Sequence, residues 1–165
     1  MSEEKVLIFT DAALEDKDSV GSIGMFMLRL RAGTCIEKKF FAVVVPKNVL
    51  ERLQHKTVKV ISAFELLAAV CAVDVLQDSL GLSRTFMFID NEAARACVIS
   101  MYSLVQTHAA MLRKLSDIYA DRSLFVWISR VPSVSNPADE PSRMRYEDLV
   151  RQGFTRMHPS WNVVD

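Results

Sequence analysis

The sequence predicts an α/β fold in which a small antiparallel meander leads into strands alternating with helices. Three observations predict it. The first 45 residues hold three β-rich runs joined by turns too short for a helix. Ser62 to Leu80 is then apolar around nearly its whole circumference, as only a buried helix is. Beyond it, short apolar runs alternate with helical segments, the pattern of crossover connections. Half of the 165 residues are apolar, which suits one domain over 1–165, with a core over about 6–143 and a C-terminal helix and tail over 144–165.

Val6 to Ala13 reads as a buried central strand that ends in a lone carboxylate, Asp11, before two small residues, Ala12 and Ala13. Open α/β sheets place their chemistry outside strand ends, although an Asp closing a turn has the same look. Glu15 to Ser19 is an acidic turn, and Val20 to Leu30 a second strand whose Gly21 and Gly24 suit a bend or a close backbone approach. Cys35 to Val45 is the third strand, stopped by Pro46. Lys47 to Lys59 carries Lys47, Arg52, Lys56 and Lys59 against one acid, Glu51; it reads as a solvated short helix or as an edge that tracks phosphates.

The helix over Ser62 to Leu80 ends at Gly81, a C′ residue. Its first turn carries Glu65, which Ser62-Ala63-Phe64-Glu65 also allows as the second half of a capping box. Thr85 to Ile89 is a fourth strand, again followed by a carboxylate, Asp90, with an N-cap as its alternative role. Asn91-Glu92 open a helix to about Tyr102, and Val105 to Ala120 form another whose Met111, Leu112, Leu115, Ile118 and Tyr119 make a core stripe. Leu124 to Ile128 is the fifth strand. Asn136 as N-cap, Pro137 at the first helical position and Asp139 in the first turn start one more helix. Tyr146 to Asp165 reads as a short helix and an irregular end.

Composition narrows the function. Twenty basic residues balance twenty acidic ones, so any basic binding surface is local. Cys35, Cys71 and Cys97 show no disulfide pattern and fit a reducing compartment. His55, His108 and His158 have no metal-ligand spacing. The polar N-terminus lacks the apolar core of a signal peptide, and the longest apolar run, Leu66 to Val73, is too short for a bilayer. The expectation is an intracellular protein of cytoplasm or nucleus, not secreted and without a membrane partner.

Four acids then stand at matching places: Asp11 and Asp90 after strands, Glu65 and Asp139 in first helical turns. If the first and fourth strands are parallel neighbours, Asp11 and Asp90 end side by side, and Glu65 and Asp139 can converge on the same edge. Capping explains each acid singly, not four on one edge. Clustered carboxylates repel, and a hard dication such as Mg²⁺ or Mn²⁺ offsets that repulsion.

The pieces Phe9-Thr10-Asp11-Ala12, Phe64-Glu65-Leu66-Leu67-Ala68, Phe88-Ile89-Asp90-Asn91-Glu92-Ala93 and Val131-Pro132-Ser133 with Asn136-Pro137-Ala138-Asp139-Glu140-Pro141-Ser142-Arg143 together resemble the ribonuclease H domain of reverse-transcribing elements. The last piece is most similar to the retrotransposon branch, tyrosine-recombinase elements included. The resemblance covers about Val6 to Arg143. It implies a ribonuclease H-like, five-stranded mixed sheet in the order 3-2-1-4-5 with helices on both faces. It implies metal-dependent cleavage of the RNA strand of RNA–DNA hybrids, with two Mg²⁺ ions, or Mn²⁺ as a substitute, held by Asp11, Glu65, Asp90 and Asp139. Asp11 would bridge both ions, Asp139 would help hold the one that activates water, and Glu65 and Asp90 would hold the other. Ala12, Ala13, Asn91, Lys56, Lys59 and Arg143 are the candidate substrate contacts, and a reverse transcriptase polymerase in the same polyprotein or complex is the implied partner.

Two departures from the family stand out. Ile128 to Asp139 contains no histidine, where the family often carries one, and Met101 to Gln106 is short and uncharged, where cellular enzymes often carry a basic protrusion. The competing readings are an inactive binding or scaffold domain of this fold, an exonuclease, which would want Glu where Ala13 stands, and a transposase, which would want Glu where Asp139 stands.

Overall fold

The computed structural model describes residues 3–54 and 59–165. β1 (Glu4–Glu15), β2 (Val20–Arg31) and β3 (Thr34–Val44) form the expected meander. Then come α1 (Lys47–Leu53), α2 (Val60–Leu76), β4 (Arg84–Ile89), α3 (Glu92–Ser100), α4 (Gln106–Arg122), β5 (Val126–Ser129), α5 (Asp139–Ser142), α6 (Glu147–Arg151) and β6 (Thr155–Arg156), with short 3₁₀ turns at Gln77–Ser79, Ser133–Ser135 and Trp161–Val164. The sheet order is β5-β4-β1-β2-β3-β6. The pairs β1–β4, β4–β5 and β3–β6 are parallel. The expected order 3-2-1-4-5 is therefore present, with a sixth strand added on β3. That strand is a two-residue pairing, Lys39 with Thr155 and Phe40 with Arg156, too short to leave a periodic signal in the sequence.

One face of the sheet carries the main core. There α2 is buried from Ser62 to Val73, and Met111, Leu112, Leu115 and Ile118 of α4 pack in the same cluster. By length and composition residues 60–79 could cross a bilayer; here that length is core helix, its apolar surface spent on the sheet and on α4. Fully burying each Leu or Phe of α2 contributes about 1.5–3 kcal/mol, so packing decides its position. The other face holds a smaller cluster in which Phe40 and Ala42 of β3 meet Leu149 and Phe154, while Phe41, between them, faces the main core. An aromatic row crosses that second face: Phe88 stacks on Phe9 at 4.6 Å, and Phe9 meets Phe26 edge-on at 6.0 Å.

Several boundaries differ from the sequence reading for identifiable reasons. α2 begins two residues before Ser62 because Val60 and Ile61 also pack on the core. Its N-cap is Lys59 with no side-chain cap bond, so Ser62 lies inside the helix and the capping box does not form. Gly81 is not left-handed; the helix ends that turn through φ near +50° are Met101 after α3 and Ser123 after α4. β5 starts only at Val126, leaving Leu124 and Phe125 outside it. α5 starts at Asp139, capped by Ala138, so Asn136 and Pro137 precede the helix.

Gly24 is a close approach, as expected. A Cβ there would stand 2.3 Å from the Ser142 amide nitrogen and 2.8 Å from the Pro141 carbonyl carbon. With only hydrogen at that place, α5 lies directly on β2, and Ser22 Oγ donates to the Ser142 carbonyl. Gly24 is also the partner of Asp11 across the β1–β2 ladder, so this contact lands Asp139 beside Asp11.

Candidate carboxylate site

The parallel ladder between β1 and β4 ends at the pair Thr10–Ile89. Asp11 and Asp90 are the next residues, side by side where β4 stops. β1 itself runs on to Glu15, held only by β2; Asp11 thus marks the end of the parallel ladder and not, as expected, the end of the strand. Asp90 does not cap α3, because Asn91 does so through Oδ1, which accepts from the Ala94 amide at 2.9 Å.

Glu65 comes to this edge from α2. Its Oε1 accepts from the Ala12 amide at 3.2 Å, and that same amide donates to Asp11 Oδ1 at 2.9 Å. One N–H thus bridges two acids. Glu65 is only 4% exposed, and its other oxygen, Oε2, is buried with no hydrogen-bond donor among the described residues. Burial first, then the adjoining Asp11 carboxyl, pushes the Glu65 carboxyl up to about 10. Burial also raises Asp11; Asp139 and Asp90 add to the rise, and the Ala12 amide and a proton on Glu65 oppose it. Burial and the adjoining Asp11 thus favour the protonated form of Glu65 at neutral pH.

Asp139 enters from the other face as the first residue of α5, where Arg143 Nε donates to its Oδ1 at 3.1 Å. The segment before it is fastened to the sheet: Asn136 is buried, its Nδ2 donates to the Thr10 carbonyl at 3.0 Å, and its Oδ1 accepts from the Ala138 amide. All four acids line one open cleft of about 450 Å³, with Arg143 and Ser133 on its wall.

The remaining predicted contacts divide. Ala12, Ala13, Asn91 and Arg143 line the cleft. Lys59 is exposed at the start of α2 and does not line it, and Lys56 lies outside the described residues. Elsewhere in the basic cluster, Arg52 is held by the Asp165 carboxylate and the Val164 carbonyl, while Lys47 is exposed and stands 3.9 Å from Glu51. Sequence reasoning missed Ser133, whose Oγ donates to Asp90 Oδ2, and the Asn136 tether to β1. The only sequence signal for either was the polar loop itself.

Charge handling elsewhere shows how unusual this edge is. Arg29 is 7% exposed and is met by Glu37 at 2.8 Å and Glu4 at 3.1 Å, as a buried charge must be. At the cleft, Arg143 is the one cation among the described lining residues, beside five carboxylates, and its ion pair is with Asp139. A larger hollow, about 770 Å³, lies where β4 begins, among Leu82, Phe86, Phe125 and Trp127. It is mainly apolar and gathers no cluster of acids, so it does not compete as the reactive site. Among the described residues no three acidic, histidine or cysteine side chains close on one point as a ready metal cage. The donor set nevertheless fits a hard dication: oxygen ligands, excess negative charge and a buried carboxylate oxygen without a donor.

The fold is similar to that of LC11-RNase H1, isolated from compost by a metagenomic approach, at 18% identity and a TM-score of 0.55 over 88% of this chain and 98% of that one. LC11-RNase H1 in complex with an RNA/DNA hybrid is similar at 16% identity and a TM-score of 0.53, over 88% and 99%. RNase H1 from the halophilic archaeon Halobacterium salinarum is similar at 16% identity and a TM-score of 0.54, over 87% and 98%. No protein-family model and no curated protein matches the sequence. The fold is thus ribonuclease H-like.

Proposed function

We propose that this chain is a metal-dependent endonuclease that cuts the RNA strand of RNA–DNA hybrids and serves a retroelement reverse transcriptase. The observation that carries the reading is the convergence of Asp11, Glu65, Asp90 and Asp139 on one cleft, with a buried Glu65 oxygen that has no donor among the described residues. The fold shared with an RNase H1 bound to a hybrid supports the substrate class. The retroelement assignment rests on the Asn136-Pro137-Ala138-Asp139 segment and its sequel to Arg143.

Asp11 would hold both of two Mg²⁺ or Mn²⁺ ions, Asp139 would help hold the one that activates water, and Glu65 and Asp90 would hold the other. Bound there, the ions would supply charge neutralisation at the scissile phosphate and an activated water. The chain's own residues do the rest. With cations bound, Glu65 would release its proton to solvent, and Oε2, which takes no hydrogen bond among the described residues, would serve as a ligand atom. The Ala12 amide keeps both carboxylates oriented while this happens. Arg143, half exposed and bonded through Nε, keeps the far end of its guanidinium for a phosphate oxygen. A hybrid would be held by its shape and 2′-hydroxyls. The net neutral chain needs a neighbouring module to keep that substrate, which is the place for the polymerase partner.

The test is cleavage of a labelled hybrid by the purified protein in Mg²⁺. Wild type should cut the RNA strand and spare double-stranded DNA, and Asp11→Asn should fall to background while still folded. Cleavage by Asp11→Asn at near the wild-type rate, or by wild type in excess chelator, would overturn the reading.

A further inference from the structure

Building on that reading, we infer that Ser133 is the positioning residue of the site, fixing the Asp90 carboxylate so that one oxygen stays free for a cation. The inference starts from Ser133 Oγ, which donates to Asp90 Oδ2, a bond across 43 residues of sequence. Ser133 opens the 3₁₀ turn Ser133–Ser135 and stands on the wall of the cleft. Asp90 lies just past the end of β4, on a two-residue link to α3. Asn91, next to it, is already committed to capping α3, and Ser133 is the donor the structure gives to the Asp90 carboxylate.

A carboxylate on a short link has two soft torsions and two equivalent oxygens. Occupying Oδ2 with a hydroxyl removes the rotation and leaves Oδ1 as the ligand atom. The same bond joins the fourth strand's acid to the loop that delivers Asp139. That loop is tied at its other end by Asn136 to Thr10, one residue before Asp11. Ser133 and Asn136 are thus two fasteners of one segment, the first on β4's acid and the second beside β1's. Ser133 touches no reacting atom; it acts through Asp90.

The experiment is calorimetric titration of the metal-free protein with Mn²⁺ alone, for wild type, Ser133→Ala and Ser133→Thr, with steady-state hybrid cleavage at rising Mg²⁺ alongside. Removing a partner that orients a ligand weakens metal affinity by about 10-fold or more. Ser133→Ala should therefore bind Mn²⁺ about 10-fold more weakly and need correspondingly more Mg²⁺ for half-maximal rate. Its kcat at saturating metal and its KM for hybrid should stay near wild type. Ser133→Thr keeps the hydroxyl and should restore the affinity. Unchanged Mn²⁺ affinity in Ser133→Ala overturns the inference. So does a rise in hybrid KM at constant metal affinity, which would put the hydroxyl on the nucleic acid. So does a failure of Thr to restore what Ala loses. A wild type that binds Mn²⁺ but leaves hybrids uncut would instead sink the proposed substrate and leave the role of Ser133 in metal binding standing.

Discussion

Glu65→Gln should make the metal-free protein more stable, and increasingly so as pH rises. In the folded chain the Glu65 carboxyl is pushed up to about 10, by burial and by Asp11; in the unfolded chain it titrates near 4.5. For an acid whose folded value is raised, the native state binds a proton that the unfolded state has released. Stability is then highest at low pH and falls through the interval between the two values, by about 1.4 kcal/mol per pH unit for one proton. From pH 5 to pH 8 that amounts to as much as about 4 kcal/mol from this single group. Gln has no proton to bind. Its carbonyl can still accept from the Ala12 amide. Urea unfolding in chelator at pH 5, 6.5 and 8 measures the difference. The two proteins should be close at pH 5, with the variant ahead by a few kcal/mol at pH 8, a gain of about 2–4 °C in Tm per kcal/mol. Adding Mn²⁺ should stabilise wild type and do much less for the variant. A wild-type stability that is flat or rising over this range relative to Glu65→Gln would refute the proton held on Glu65.

Two further outcomes are expected. Gly24→Ala places a Cβ 2.3 Å from the Ser142 amide, so α5 must move; thermal unfolding should show a loss of about 1–3 kcal/mol or more, and hybrid cleavage should fall further than stability alone accounts for, whereas full activity would separate α5 from the site. In a salt titration of hybrid affinity, with Arg52 paired to the Asp165 side chain and roughly two or three phosphates neutralised, the log–log slope should be about −2 to −3; Lys59→Glu should weaken binding and leave Mn²⁺ affinity alone, and a much steeper slope would locate an unrecognised basic face.

The sequence was most legible where packing leaves a period. The meander, the all-round apolar α2 and the stripe on α4 each announce themselves because buried positions recur at strand or helix spacing. The four acids were legible for a different reason: Asp90 follows β4 and Asp139 begins α5, while Asp11 lies where the β1–β4 ladder ends and Glu65 in the second turn of α2, not in the first as expected, so placing the elements nearly places the acids. Glu65 was ambiguous in sequence because a Ser three residues earlier mimics a capping box; the start of α2 at Val60, decided by the burial of Val60 and Ile61, removed that ambiguity. What could not be read were contacts between segments remote in sequence. Nothing near Ser133 or Asn136 says that one reaches Asp90 and the other Thr10. Nothing near Arg52 says that Asp165 will occupy it. The two-residue β6 is likewise visible only as a partner of β3.

The bond from Asn136 to Thr10 also has a consequence in time. It joins residues 126 positions apart, and at roughly 5–20 residues per second a ribosome needs about 6–25 s to make that stretch. The meander, α2 and β4 can pair long before then, bringing Asp11, Glu65 and Asp90 together. Asp139 arrives last, on a loop held by a few side-chain bonds and one glycine contact. The fourth acid is thus added after most of the core exists. The same loop is the part most ready to open again in the finished protein, so its amides should exchange with solvent ahead of those of α2 and the central strands.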